Sequence, residues 1–191
     1  MTTSPPEQPA KPKRVISQSH LEALIKSHKA DQDPALLKEI KEVSGYDHYH
    51  AKKEYPQKVF TIIVEFFVKK FYADLPLEEA VATVARLYVR AFVEDTILGR
   101  VTFALRGKTT HHKLLRRFLD VQAQHNKIGE HTLEITGPKQ ARMEYSDDVS
   151  VPIWVKPMLE AVLSINNAKN PLVTYTIIAK NHVIYDLSWD E

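Results

Sequence analysis

An α+β fold follows from three observations. Helical periodicity runs through the first two thirds of the chain, apolar and polar residues alternate through much of the last third, and the two patterns do not interleave. Interleaving would signal a parallel α/β sheet, whereas segregated runs signal helices packed on an antiparallel sheet. The chain has 191 residues, 43% apolar and 26% charged, which suits one domain able to bury its own core. We expect a disordered tail over 1–16 and a single domain over 17–191, made of a helical hairpin (17–50), a helical core (56–128) and a β-β-α-β-β unit (130–190).

The tail holds Pro5, Pro6, Pro9 and Pro12 with a basic cluster at Lys11, Lys13 and Arg14, and no apolar stretch follows to make a signal peptide. Ser19-x-x-Glu22 reads as a capping box for a helix near 18–29 carrying Leu21, Leu24 and Ile25. A second helix starts at Pro34 behind Asp33 and stops at Gly45, giving a mobile hairpin. A polar connection, Tyr46 to Tyr55, leads to the most apolar helix, Pro56 to Tyr72. Its polar residues Lys58, Thr61, Glu65 and Lys69 form one narrow stripe, as expected of a central helix or half of a homodimer interface.

Asp74 is placed to cap the next helix, which carries Leu77, Val81, Val84, Tyr88 and Phe92 on one face. Further helices span Thr96 to Leu105 and, capped by Thr109 or Thr110, run to Asn126. Two strands around Thr132–Ile135 and Ala141–Tyr145 flank Gly137-Pro138-Lys139, a hairpin signal. A helix from Pro157 to Ile165, with Trp154 near its entrance, precedes strands Leu172–Ile178 and Val183–Trp189. The N-terminal helices are the expected cover for this four-stranded sheet.

Composition excludes much. Zero cysteines remove disulfide scaffolds and thiolate metal sites. The longest apolar run, Val59 to Val68, is too short to span a bilayer, so we expect a cytoplasmic chain. Gly107-Lys108-Thr109 resembles the end of a phosphate-binding loop, but Thr102 stands where the first glycine is required. Asp47-His48-Tyr49-His50 gathers two imidazoles and a carboxylate without a third ligand at metal-site spacing. No nucleophile motif or acid/base pair is present, which argues against an enzyme. Arg106, Lys108, Lys113, Arg116 and Arg117 form a basic patch in a stretch without acids; with a net charge of only +2, nucleic-acid binding is the lesser reading.

The order Tyr72-Ala-Asp-Leu-Pro-Leu-Glu-Glu-Ala80, Leu98-Gly99-Arg100, Leu114-Leu-Arg-Arg-Phe118, a Gly129 hairpin and a last strand ending at Trp189 resembles a bacterial domain-of-unknown-function family with many paralogues in myxobacteria. The resemblance covers about residues 55–190 and implies no catalytic residues. More remotely, helices followed by β-β-α-β-β look like the ligand-binding superfamily of haem–nitric-oxide sensors and vinyl-reductase-type domains. That resemblance implies an axial histidine, matched in order by His111 or His112, and a Tyr-x-Ser-x-Arg haem clamp falling on Tyr145, Asp147 and Val149. Only the tyrosine is retained, and losing the arginine fork removes the bidentate anion contact.

The resulting expectation is a non-enzymatic regulatory or adaptor domain without a cofactor, binding a small apolar ligand or a partner protein. Haem is the alternative cofactor. The aromatics Phe66, Phe67, Phe71, Tyr88, Phe92 and Trp154 are the expected pocket, and no metal site is expected.

Overall fold

The computed structural model describes residues 14–104, 106–125, 129–148 and 150–190. The tail before Arg14, the helix ends expected at Leu105 and Asn126, and Val149 lie outside the described residues. The fold is α+β. Strand β1 (Val15–Ser17) leads into α1 (Gln18–Ser27), a short 3-10 turn (Ala30–Gln32) and α2 (Pro34–Ser44). Then come β2 (Glu54–Pro56), α3 (Gln57–Phe71), α4 (Leu77–Asp95), α5 (Ile97–Thr102) and α6 (His111–His125). Strands β3 (Glu130–Gly137) and β4 (Gln140–Ser146), helix α7 (Pro152–Ile165), and strands β5 (Lys169–Ala179) and β6 (His182–Asp190) complete the chain.

Several helix starts differ from expectation. Val15 and Ile16, expected in the tail, join Ser17 in a strand that pairs antiparallel with 54–56. Helix α1 therefore begins at Gln18, whose N–H is taken by the Lys53 carbonyl at 3.0 Å, and Ser19 lies inside the helix without capping it. Asp33 does cap α2, accepting from Ala35 and Leu36 N–H groups at 3.0 and 3.1 Å. Asp74 does not cap α4: a turn closed from Leu75 N–H to the Tyr72 carbonyl occupies that stretch, and Pro76 is the cap residue. Helix α7 starts five residues early because Pro152 supplies a preorganised first turn. Trp154 is thus helical, and Pro157 sits inside the helix, its missing N–H offset by burial of Val155, Met158 and Leu159.

The four-stranded sheet has the order β3-β4-β6-β5, antiparallel throughout. Ala141, Met143 and Tyr145 on β4 and Val183, Tyr185, Leu187 and Trp189 on β6 are buried on one face, alternating with Arg142, Glu144, Ile184 and Asp186. The helices that precede the sheet cover it through α6 over β3, joined by α7 over β5 and β6, and not through the first helices. Those pack one layer further out: α1 lies on α4, and α4 on α7. The first two helices are not a mobile hairpin, since α1 packs on α4, α2 on α3, and Leu21, Leu24, Ile25 and Ile40 are inaccessible.

Helix α4, not α3, is central. It contacts α1, α3, α5 and α7, and its alanines 80, 85 and 91 are buried, as close helix approach requires. Helix α3 buries Val59, Phe60, Ile63 and Phe67, while Phe66 is only partly covered. Gly99 marks the tightest junction: a Cβ there would sit 1.7 Å from the Phe92 carbonyl oxygen. Gly99→Ala is expected to destabilise the chain by roughly 3 kcal/mol or more, the upper range for overpacking, as read from urea unfolding midpoints.

His28 stacks on Phe67 and Phe71, with ring centroids at 4.1 and 5.4 Å. Burial lowers its pKa to about 4, only partly countered by a backbone hydrogen bond at Leu24. The unfolded chain therefore binds a proton first as pH falls, so stability is complete above about 6.5 and declines towards pH 4. We expect a loss on the order of 1–3 kcal/mol across that window, and His28→Gln to flatten the dependence in pH-resolved unfolding.

Candidate functional site

A cavity of about 290 Å³ lies where α1, α3 and α4 meet α7 and the β3–β4 hairpin. Its size is at the lower end of small-molecule pockets. Phe60, Tyr88 and Trp154, from α3, α4 and α7, form an aromatic triangle in its wall, with centroid separations of 5.3 to 5.5 Å. Ile16, Val64, Val81, Ile153, Val155 and Met158 add to the apolar lining. Leu77 and Val151 also line it while remaining 65% and 53% exposed, so they mark its mouth.

Two polar pairs reach this apolar space. On the helical side, buried His20 is hydrogen-bonded through Nδ1 to the Tyr88 hydroxyl and stacks on Phe92 at 4.8 Å. Burial pushes the Tyr88 phenol far above its ordinary value, so it stays protonated. On the sheet side, His131 Nε2 donates to Asp148 Oδ2 at 2.5 Å, the two side chains being 5% and 2% exposed. Asp148 Oδ1 accepts from Ser150 N–H at 2.6 Å, and Asp148 N–H donates to the Asn181 carbonyl at 3.1 Å. Gly129 permits this arrangement, because a Cβ there would fall 2.8 Å from the Asp148 backbone. The Tyr145 ring lies 4.0 Å from that of His131. Burial first, then Asp148 and Tyr185, hold the Tyr145 phenol well above its ordinary value.

Of the six aromatics expected to line a pocket, the structure brings Tyr88 and Trp154 to the cavity. Phe67 and Phe71 are drawn to His28, about two and three turns further along α3 than the cavity-lining Phe60, Phe71 being 43% exposed, and Phe66 lies near Lys70, 5.6 Å from its ammonium. Phe92 is buried behind His20. Neither His111 nor His112 lines the cavity. Both pack on Trp189, at 5.2 and 5.1 Å, and His112 Nε2 donates to the Gln140 carbonyl at 3.2 Å. Tyr145 does line it, but Asp147 turns outward into an ion pair with Arg14 at 2.8 Å.

The basic residues lie elsewhere. Arg106, Lys108, Lys113 and Arg116 are exposed, and Arg117 donates to the Thr102 carbonyl at 3.2 Å. The Gly107–Thr109 turn is tied to the end of α7: Asn166 accepts from Gly107 N–H and donates to the Thr109 carbonyl. In the Asp47–His50 loop, hydrogen bonding by Lys41 at 2.6 Å holds Asp47 down at about 2. Among the described residues no group of three metal-binding side chains converges, and no helix is long and apolar enough to cross a membrane.

The family model for a protein of unknown function (DUF2378) matches residues 14–190. The chain belongs to this family. No curated protein sequence matches it. Among solved structures it is similar to a doubly substituted Tt H-NOX protein, at 12% identity, covering 92% of this chain and 96% of that one, with a TM-score of 0.70. An S. oneidensis H-NOX protein in the Fe(II)NO ligation state matches at 11% identity over 92% and 100% of the two chains, with a TM-score of 0.64. A K. algicida H-NOX protein in the Fe(II) unliganded state gives 10% identity, 92% and 97% coverage and 0.63. These likenesses show that this DUF2378 chain has an H-NOX-like fold.

The residues present do not fit haem as the superfamily pattern would hold it. The α6 histidines are engaged at Trp189, and the cavity lining contains no lysine or arginine among the described residues to receive two propionates. A buried carboxylate instead stands directly behind His131.

Sequence reasoning missed His131, Asp148, His20 and Phe60. The signal was present for two of them. His131 lies in phase with Leu133 on the inward face of β3, and His20 is one helical turn from Leu24. Nothing local distinguishes Asp148 from Asp147. Asp148→Ala is expected to destabilise by about 3 kcal/mol or more, since it strands the buried His131 and Ser150 N–H donors, whereas Asp147→Ala should cost under about 1 kcal/mol; thermal unfolding of both variants checks the contrast.

Proposed function

We propose that this DUF2378 domain is a non-enzymatic sensor or regulatory module that binds a small, mainly apolar molecule in the cavity between its helical layer and its sheet. The observation that supports this is the position of the cavity. Its wall draws on α1, α3, α4, α7 and the β3–β4 hairpin at once, so an occupant contacts both layers and can bias how they pack. The exposed apolar rim at Leu77 and Val151 provides an entrance of matching character.

The H-NOX likeness supports a ligand-binding use of this frame, because those structures are described in Fe(II)NO and Fe(II)CO ligation states and with a distorted porphyrin. It also makes haem the second reading. The charge and histidine placement in this chain weigh against that reading.

Trp154 lines the cavity, whereas Trp189 packs on His111 and His112 and does not, so Trp154 is the donor in contact with an occupant and energy transfer from it reports occupancy. The neutral probe N-phenyl-1-naphthylamine is expected to bind one to one with such transfer, and Val81→Trp, which fills the cavity wall, to abolish it while a cooperative melt remains. Linear, unsaturable uptake would remove this reading. Titration with haemin is expected to give no one-to-one Soret band that survives gel filtration; such a band would assign haem instead.

A further inference from the structure

The wall of this cavity carries an unusual balance of polar groups, and with the ligand-binding reading as its premise that balance specifies the ligand's polar end. Among the described residues the lining holds no lysine or arginine, and its one formal charge is Glu65. A second carboxylate, Asp148, is buried immediately behind the lining. Glu65 is exposed to solvent and screened, so an anionic group entering here meets the buried Asp148 carboxylate in a poorly screened space and finds no lining lysine or arginine to pair with.

His131 supplies the complementary feature. Aspartate only accepts, so the proton of the His131–Asp148 bond resides on Nε2. In the neutral ring, Nδ1 is then an acceptor, and no described residue donates to it. Beside it, the Tyr145 hydroxyl is buried and has no hydrogen-bond partner among the described residues. Its raised pKa keeps it a donor. An acceptor on β3 and a buried, unpartnered donor on the facing residue of β4 together match one chemical group: a hydroxyl, which both donates and accepts.

We infer that the cavity selects an uncharged, ring-sized apolar molecule bearing one hydroxyl, which donates to His131 Nδ1 and accepts from Tyr145, and that it rejects carboxylates of the same shape. A cavity of about 150 Å³ holds benzene. At about 290 Å³ this one has room for two fused rings.

The test uses one skeleton with three polar ends: 2-naphthol, naphthalene and 2-naphthoate, titrated calorimetrically into the full chain and into Tyr145→Phe. Removing an unpartnered hydroxyl leaves the fold intact, so Tyr145→Phe is expected to melt at or above the parent temperature. The expected result is that 2-naphthol binds roughly ten-fold or more tightly than the other two, and that Tyr145→Phe weakens it roughly five-fold, the equivalent of one hydrogen bond, without changing naphthalene. Naphthalene or 2-naphthoate binding as tightly as 2-naphthol would overturn the assignment of the polar end and leave the ligand-binding reading standing. An unchanged 2-naphthol affinity in Tyr145→Phe would likewise overturn it. No binding of any of the three, in a chain that melts cooperatively, would overturn both.

Discussion

The packing around the cavity of this molecule turns on three aromatic rings. Phe60, Tyr88 and Trp154 come from three different helices and touch edge to face or tilted at 5.3 to 5.5 Å. Rings of this size are rigid and cannot collapse into one another, so they set a minimum separation between α3 and α7 on one side of α4. Elsewhere α4 packs closely on α1 and α7 through small residues. Where the triangle stands, close packing gives way to a cavity. The void is therefore a consequence of side-chain shape at one junction, and it lies where helical and sheet layers both contribute walls.

The sheet side of that junction is governed by one carboxylate. Asp148, withdrawn from water, requires hydrogen-bond donors, and it recruits His131 from the neighbouring strand and the Ser150 backbone. This fixes the His131 ring, and the close approach of Gly129 makes the geometry possible. The neighbouring Asp147 has no such role, because it faces out and meets Arg14 at the surface. The H-NOX-like fold thus carries a buried carboxylate–imidazole pair in its interior. Fold and site have separate physical origins, the one in layer packing and the other in a few buried polar atoms.

The sequence already determined the α+β class, the hairpin at Gly137, the Asp33 cap and the alternating inward residues of β4 and β6, because each depends on local periodicity or on a side chain bonding within its own turn. It did not determine which helix is central. Apolar content singles out α3, yet α4 takes that place because its alanines admit neighbours on several sides. Nor did it separate pocket from core among the aromatics: Phe60, Phe67 and Phe71 recur at helical spacing on one side of α3, yet Phe60 meets Tyr88 and Trp154 while Phe67 and Phe71 meet His28. Those assignments, like the meeting of His131 with Asp148, depend on contacts between residues distant in the chain. Periodicity places a side chain on a face of its own element; only the packing of elements decides what that face meets.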